Sequence, residues 1–574
     1  MKIFLPLLLG MMSVLSVWAQ QVSEENAKSK AEAFLQKKGV SLSDEAPYMK
    51  ASLGDEGDLI PYYIFNSDEK KGFVIISGSE QTIPVLGYSD NGRFNMDSIP
   101  DGLYFMLDDY EKQINSLEKR TFLPEDSIIL GTEKDAIEPL ISTQWDQYYP
   151  YNMYCPIDEE DSLERTSLTG CVATATSQIL YYHAMKYKEE QGSHLVNAIT
   201  GGIPSYSYTS IRNTGNEIFV DSVPPQDLFW DQMSLTYSGI EDKEDPSAKA
   251  VANLMMICGK AEKMKYSADG SSSYDVNLFY ALPYFGYDCD AVCLDAINFS
   301  PTDWENIIYD ELKTGRPIYY GGVSGDFGHA FICDGYQSDD YFHFNWGWGG
   351  FCNGYYRLSV CDPFGNYKFS SYQSAIIGVA PNFHSDSQLM NALSVDRELE
   401  SDTNIYRRES LSDNFPELTV NYTAYNITNR QMRFLFSCAL YDDADSLIKI
   451  YDYCEDWTLK TRYGGTIYQT IVLPEGLPNG QYKIKGMCKI VDKSDWMPFV
   501  GSDIFYLSLK VSDTELRAAS SLASDNSEVE EPLSDELIKE TEDGSLYDLN
   551  GRQITTPGKE IFVKGGKKYL MIEN

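Results

Sequence analysis

Basic charge is what this 574-residue chain most lacks: 46 lysines and arginines stand against 86 aspartates and glutamates, a formal net charge of −40. Such a chain repels nucleic acid and anionic membrane surfaces, so neither is expected as a partner. Histidine is scarce, with five residues. The 11 cysteines are scattered, and none forms a CxxC pair or a Cys/His cluster with metal-ligand spacing, so no zinc site and no cofactor are expected. Their odd number leaves at least one thiol without an intramolecular partner. Long apolar runs are missing too. Past the first residues nothing reaches about 18 apolar positions in a row, and no transmembrane anchor is expected.

What is present divides the chain into segments, since 574 residues exceed one hydrophobic core. Residues 1–19 have the form of a secretory signal, with Lys2, an apolar stretch from Ile3 to Val17, and Val17-Trp18-Ala19 before Gln20. The mature protein is therefore expected to be secreted or at the cell surface. Residues 20–136 read as a small α+β unit. Its helices are Glu24 to Lys37, with Ala27, Ala31, Phe34 and Leu35 at helical spacing, and Leu103 to Leu117. Its strands are Tyr62 to Phe65, Phe73 to Ser77 and Ile83 to Tyr88. A polar stretch from Arg120 to Ala136 is an exposed linker open to nicking.

Residues 137–381 hold the chemistry. Residues 385–515 change to short alternating runs with turns such as Pro478-Asn479-Gly480, the pattern of an immunoglobulin-like β-sandwich. Residues 516–544 are an acidic linker. In residues 545–574, an Asn-Gly turn between two short strands makes an ordered scrap suited to be an address read by a partner.

Cys171 follows Thr169-Gly170, and Val172, Ala175, Thr176 and Ile179 recur after it at helical spacing. A thiol at a helix start meets unpaired N–H groups and the positive end of the dipole, which favour a thiolate. His329, after Gly328, opens the buried run Ala330 to Cys333, and a histidine there can accept the thiol proton from a facing helix start. His343 is a decoy on a strand face. Asp334 and Asn345 compete to orient the imidazole; parity turns Asp334 to the other face, whereas Asn345 ends the next strand, with Trp346 placed to cover the bond. The backbone N–H of Cys171 and a glutamine, Gln144 or Gln147, are candidates for stabilising an oxyanion.

The segments Gly170 to Gln178, Gly328 to Gly335 and Phe344 to Gly350, with Pro317-Ile318-Tyr319-Tyr320, resemble the streptopain family of secreted papain-like cysteine peptidases. The resemblance covers about 240 residues, from near Pro139 to Pro381. It implies an α+β papain-like fold with Cys171 as nucleophile, His329 as general base and acid, Asn345 as orienting group, Trp346 beside it, and Gln147 rather than Gln144 at the oxyanion. It also implies that the N-terminal unit is an inhibitory pro-domain and that the substrates are proteins or peptides. One departure is visible: Cys361 to Tyr372 is short and not Gly-rich where streptopain has a longer Gly-rich loop. The Leu546 to Ile572 tail resembles C-terminal sorting signals of Bacteroidetes-type secreted proteins, which implies secretion machinery as a partner. Two other readings compete: a thiol acyltransferase or transpeptidase on the same fold, and a non-catalytic surface adhesin.

Overall fold

A computed structural model of the chain describes residues 21–49, 52–54, 57–68, 71–117, 134–188, 202–210, 215–287, 291–324, 327–337, 339–360, 372–381, 392–395, 397–491 and 495–521, and four short strands between 546 and 570. The expected signal, most of the linker after residue 117 and the acidic stretch lie outside the described residues, as do Cys289, Cys361, His194 and His384.

The first helix, Glu24–Lys37, starts where the sequence signals it. The Ser23 hydroxyl accepts the Asn26 N–H at 3.3 Å, Glu24 and Glu25 lie at the positive end of the dipole, and Ala27, Ala31 and Leu35 form the buried stripe. The strands Tyr62–Asn66 and Phe73–Ser77 are apolar on both faces because both faces are covered. Tyr63, Phe65, Val74 and Ile76 pack under that helix, while Tyr62, Ile64, Phe73 and Ile75 join the core of the second helix, Asp101–Leu117.

This α+β segment does not stand apart from the next. Its strand Val85–Ser89 pairs antiparallel with Gly354–Tyr356, matching Tyr355 with Tyr88 and Tyr356 with Gly87. The result is one ten-stranded sheet. It continues through Tyr341–Asn345, Phe327–Gln337, Ile318–Ser324 and Tyr372–Ile377 to a last strand, Val292–Asp295. The fit is close. A Cβ on Gly354 would lie 2.3 Å from the Tyr88 carbonyl oxygen, so only glycine permits this approach.

On the other side of the cleft, the helix Cys171–Lys186 is buried along nearly its whole length and packs with Pro246–Ala261 in a separate apolar core. Cys171 packs against this core. Among the described residues no helix is long and apolar enough to cross a membrane, and nine cysteines are free thiols.

The alternating runs after residue 392 form two facing sheets. Leu418–Asn426 alternates buried and half-buried residues and pairs with Gly464–Ile471 from Leu418↔Ile471 to Tyr425↔Gly464. The facing sheet contains Met432–Asp442, Gly480–Ile490, Leu507–Ser512 and Glu515–Ser520. Tyr422 ties the two together, its ring 5.6 Å from Phe499 and its hydroxyl donating to the Ser437 carbonyl at 2.8 Å. Because Glu515–Ser520 pairs with Leu507–Ser512, the sandwich runs past residue 515, where the acidic linker was expected to begin.

One compact unit runs to Ser324 and from Gly328 to Ser521; a second takes in Gly325–Phe327 and the chain from Leu522. In the second unit, Gln553–Ile554, Leu546–Asp548, Ile561–Lys564 and Lys567–Leu570 form an antiparallel four-stranded sheet in that order, more than the two strands expected.

Candidate active site

Gly170 caps the helix that carries Cys171, with φ of 86°. A Cβ there would meet the Met264 side chain at 2.8 Å in a conformation L-residues avoid, so the turn into this helix requires glycine. The hydroxyls of Thr169 and Thr174 meet at 2.9 Å, and Thr174 also donates to the Gly170 carbonyl at 3.0 Å, locking the turn. Cys171 is the first helical residue. Its sulfur accepts the backbone N–H of Ala330 at 3.4 Å. The strand carrying His329 therefore already touches the thiol, through the residue after the histidine.

His329 Nδ1 lies 3.8 Å from Asp101 Oδ2, at the start of the second N-terminal helix. Among the described residues no hydrogen bond joins His329 to Cys171 or to Asn345. Burial pushes the Cys171 thiol up to about 11, with Asp275 and Asp101 adding to the rise and the Ala330 N–H opposing it. Burial also lowers the His329 imidazole below its ordinary value, against the pull of Asp101.

Asn345 is buried and held by groups other than the histidine. Its amide donates to the Thr143 carbonyl at 2.8 Å and to Gln178 Oε1 at 3.3 Å, and its oxygen accepts the Gly347 N–H at 3.1 Å. In the pairing with the strand of His329, Asn345 lies opposite Ile332, and an irregularity between Cys333 and Gly335 shifts the register farther along. Asp334 faces away, as parity predicts, bonded to His343 at 2.6 Å and to the Ile141 N–H at 2.8 Å. His343 is accordingly a packing residue, edge-on to Tyr355.

Gln147 is brought to the helix start by its backbone, whose carbonyl accepts the Thr169 N–H at 3.2 Å. Gln144 is taken up elsewhere: a Cβ on Gly350, at φ of 80°, would lie 2.8 Å from its Cδ. Trp346 is buried, its indole N–H donating to the Cys352 carbonyl at 2.8 Å and its ring 4.9 Å from Phe331. The N-terminal helix closes over it; a Cβ on Gly102 would lie 2.6 Å from Trp346 Cε3.

Sequence reasoning missed Gln178 and Asp101. Gln178 lies seven positions after Cys171, two turns along one helix face, a spacing that was readable. Nothing local marks Asp101, whose role arises from the docking of a distant segment.

The family profile described as Peptidase C10 family matches residues 145–356, and that of a Spi protease inhibitor matches residues 19–114. Streptopain of Streptococcus pyogenes is 31% identical over 392 residues, which make up 62% of this chain and 92% of streptopain. The chain belongs to the Peptidase C10 family. It is a cysteine endopeptidase made as a zymogen, with an inhibitor-type segment ahead of a papain-like α+β body. The thiol protease/hemagglutinin PrtT of Porphyromonas gingivalis is 29% identical over 406 residues, 66% of this chain and 44% of PrtT. A prointerpain A fragment of Prevotella intermedia shares 28% identity and a TM-score of 0.45, covering 59% of this chain and all of the fragment.

Proposed function

We propose that the described state is the latent form of this C10 peptidase, with Cys171 as nucleophile and His329 as its proton acceptor and donor. The observation that carries this reading is the bond from the Ala330 N–H to the Cys171 sulfur. The two chain segments already meet, and a turn of one side chain separates the latent from the working arrangement. Departure of the N-terminal segment removes Asp101 from His329 and uncovers Trp346. The imidazole then swings to the thiol and takes its proton, forming the thiolate–imidazolium pair.

The thiolate attacks the scissile carbonyl, and the carbonyl oxygen, now negative, is received by the Cys171 N–H and the Gln147 amide. His329 gives its proton to the departing amine. Water, deprotonated by the same imidazole, then cleaves the thioester and releases the acid. Asn345 anchors the loop beneath Trp346 and lies ready to orient the imidazole on its arrival. Residues 1–19 direct export, residues 20–136 form the inhibitory pro-domain, and the tail after residue 545 is read by secretion machinery.

Cys171→Ala is expected to abolish peptide hydrolysis in matured protein. Full residual activity would refute the assignment. N-terminal sequencing of protein from the wild type and from this variant locates the activating cut and shows whether the enzyme makes it.

A further inference from the structure

The sandwich docks on the last strand of the ten-stranded sheet. The Cys293 N–H donates to the Ile427 carbonyl at 3.0 Å, the Asn429 N–H donates to the Ala291 carbonyl at 3.1 Å, and Val292 bridges to Thr428. At the end of that strand the Asp295 carboxylate accepts the Tyr425 hydroxyl at 3.3 Å and lies 3.7 Å from Nη1 of Arg462. The Arg462 guanidinium rests 5.4 Å from the centre of the Tyr425 ring, and its backbone N–H is tied to the Asn426 carbonyl at 2.8 Å. The cation is thus held in place by the end of one sandwich strand, Leu418–Asn426.

From Asp295 the path leads to the cleft. Its cross-strand partner is Ser374. The Ser374 hydroxyl is 3.5 Å from Asp275, whose other oxygen accepts the Tyr319 hydroxyl at 3.0 Å. Gly321, two residues on from Tyr319, leaves room for this cluster; a Cβ there would lie 3.0 Å from Asp275 Oδ2 and 3.1 Å from Ser374 Oγ. Tyr319 and Cys171 share one apolar core. Burial raises the Asp275 carboxyl, against the Tyr319 hydrogen bond and the Arg462 charge, which favour ionisation.

We infer that Arg462 of the β-sandwich is a positioning residue for the peptidase, offsetting the negative charge of Asp275 and Asp295 behind Cys171. As a stability device a partly exposed ion pair of this kind contributes little. Its value lies in its place. A thiolate must form near carboxylates in a chain of net charge −40, and each unopposed anion makes that harder. The acidic groups acting on Cys171 are Asp275 and Asp101, and His329 is the base meant for it. Around Asp275 stand Tyr319, Ser374, Asp295, Glu262 and Arg462. Removal of the N-terminal segment takes Asp101 away and leaves Asp275, with Arg462 acting on it, as the carboxylate acting on the thiol.

The inference rests on Cys171 being the reactive thiol, and a labelling experiment tests it apart from peptide hydrolysis. Iodoacetamide labelling of Cys171 is followed by peptide mass spectrometry from neutral to alkaline pH. The full chain is used as wild type, Arg462→Gln, Asp275→Asn and the double variant, each checked for folding by circular dichroism. Arg462→Gln is expected to move the thiol titration upward by about half a pH unit, or about threefold slower labelling at fixed pH. Asp275→Asn moves it downward, and on that background Arg462→Gln loses most of its effect. Arg462→Lys keeps the wild-type profile.

An unmoved profile in Arg462→Gln, or an equal shift with Asp275 neutralised, overturns the inference. If Arg462→Gln does not fold, the Asp275→Asn and Arg462→Lys arms still decide. Absence of a downward shift in the first, or an upward shift in the second, overturns it. If the variants show these shifts but matured wild-type protein hydrolyses no peptide, the peptidase reading is refuted and the electrostatic one stands.

Discussion

The two neighbours that flank the catalytic sheet hold on in different ways. The N-terminal segment adds its own strands to the sheet and merges its second helix into the core, where Leu103, Phe105, Met106 and Tyr110 pack with Phe331, Phe344 and Trp346. Polar side chains of that helix are buried against the body as well: Asp109 accepts the Gln373 amide at 2.6 Å, and Gln113 accepts the Val360 N–H at 2.8 Å. The sandwich docks through two backbone hydrogen bonds, an isolated bridge, the buried Asn298–Ser394 hydrogen bond at 2.7 Å, the packing of Ile427, Tyr425 and Val500, and the contacts of Asp295 with Tyr425 and Arg462. An inhibitor has to stay bound after its linker is cut, so its affinity must come from noncovalent burial, whereas the sandwich remains tethered by the chain.

That contrast can be broken at measurable points. Phe105→Ala removes a ring lying against Gly322 and Phe331. It is expected to weaken the inhibitory segment by about 3–5 kcal/mol, read as release of that segment on gel filtration after nicking in residues 118–133. In the unaltered chain the nicked segment stays bound.

Glu262 belongs to neither neighbour and serves as an internal reference. Fully buried, with one oxygen receiving the Thr176 hydroxyl at 2.5 Å, its carboxyl is pushed up to about 8 by burial. The folded form holds this proton where the unfolded form, with an ordinary carboxyl, has released it. Its stabilising effect is complete below the unfolded value and declines as pH rises towards about 8. Glu262→Gln removes this dependence and should raise the unfolding free energy at mildly alkaline pH by up to about 4 kcal/mol, read by denaturant titration, and little at acidic pH. The effect should appear with and without the N-terminal segment.

Gly102→Ala forces a methyl against Trp346 and should cost about 1–3 kcal/mol of the inhibitory docking, detected as peptide hydrolysis by unprocessed chain. Smallest is the effect of Arg462→Gln on stability, under about 1 kcal/mol by denaturant titration, since the pair is partly exposed and 3.7 Å apart. A larger loss there would erase the contrast between the two flanks.

Local patterns were legible and long-range partnerships were not. The helix Glu24–Lys37 and the strand Phe73–Ser77 fall where periodicity puts them, and Leu418–Asn426 alternates as a sandwich strand should. Periodicity is silent on which strand meets which. Nothing near Tyr88 announces Tyr355 as its partner, so the N-terminal segment reads as a free unit when it is part of a larger sheet. At the site, Thr169-Gly170 before an apolar stripe placed Cys171 at a helix start. The state of its proton was hidden, because it depends on burial and on Asp101, far away in the chain. Asn345 was identified as a strand end, but its partners Thr143 and Gln178 come from distant segments that periodicity does not reveal.

The carboxamide link between Gln178 and Asn345 has a mechanical corollary. It joins the helix bearing the sulfur to the loop bearing Trp346, with Thr143 as a third point of attachment. Prising those walls apart would strand a buried amide, a penalty of about 1–3 kcal/mol. The helix bearing the sulfur and the loop bearing Trp346 are thus held as one piece.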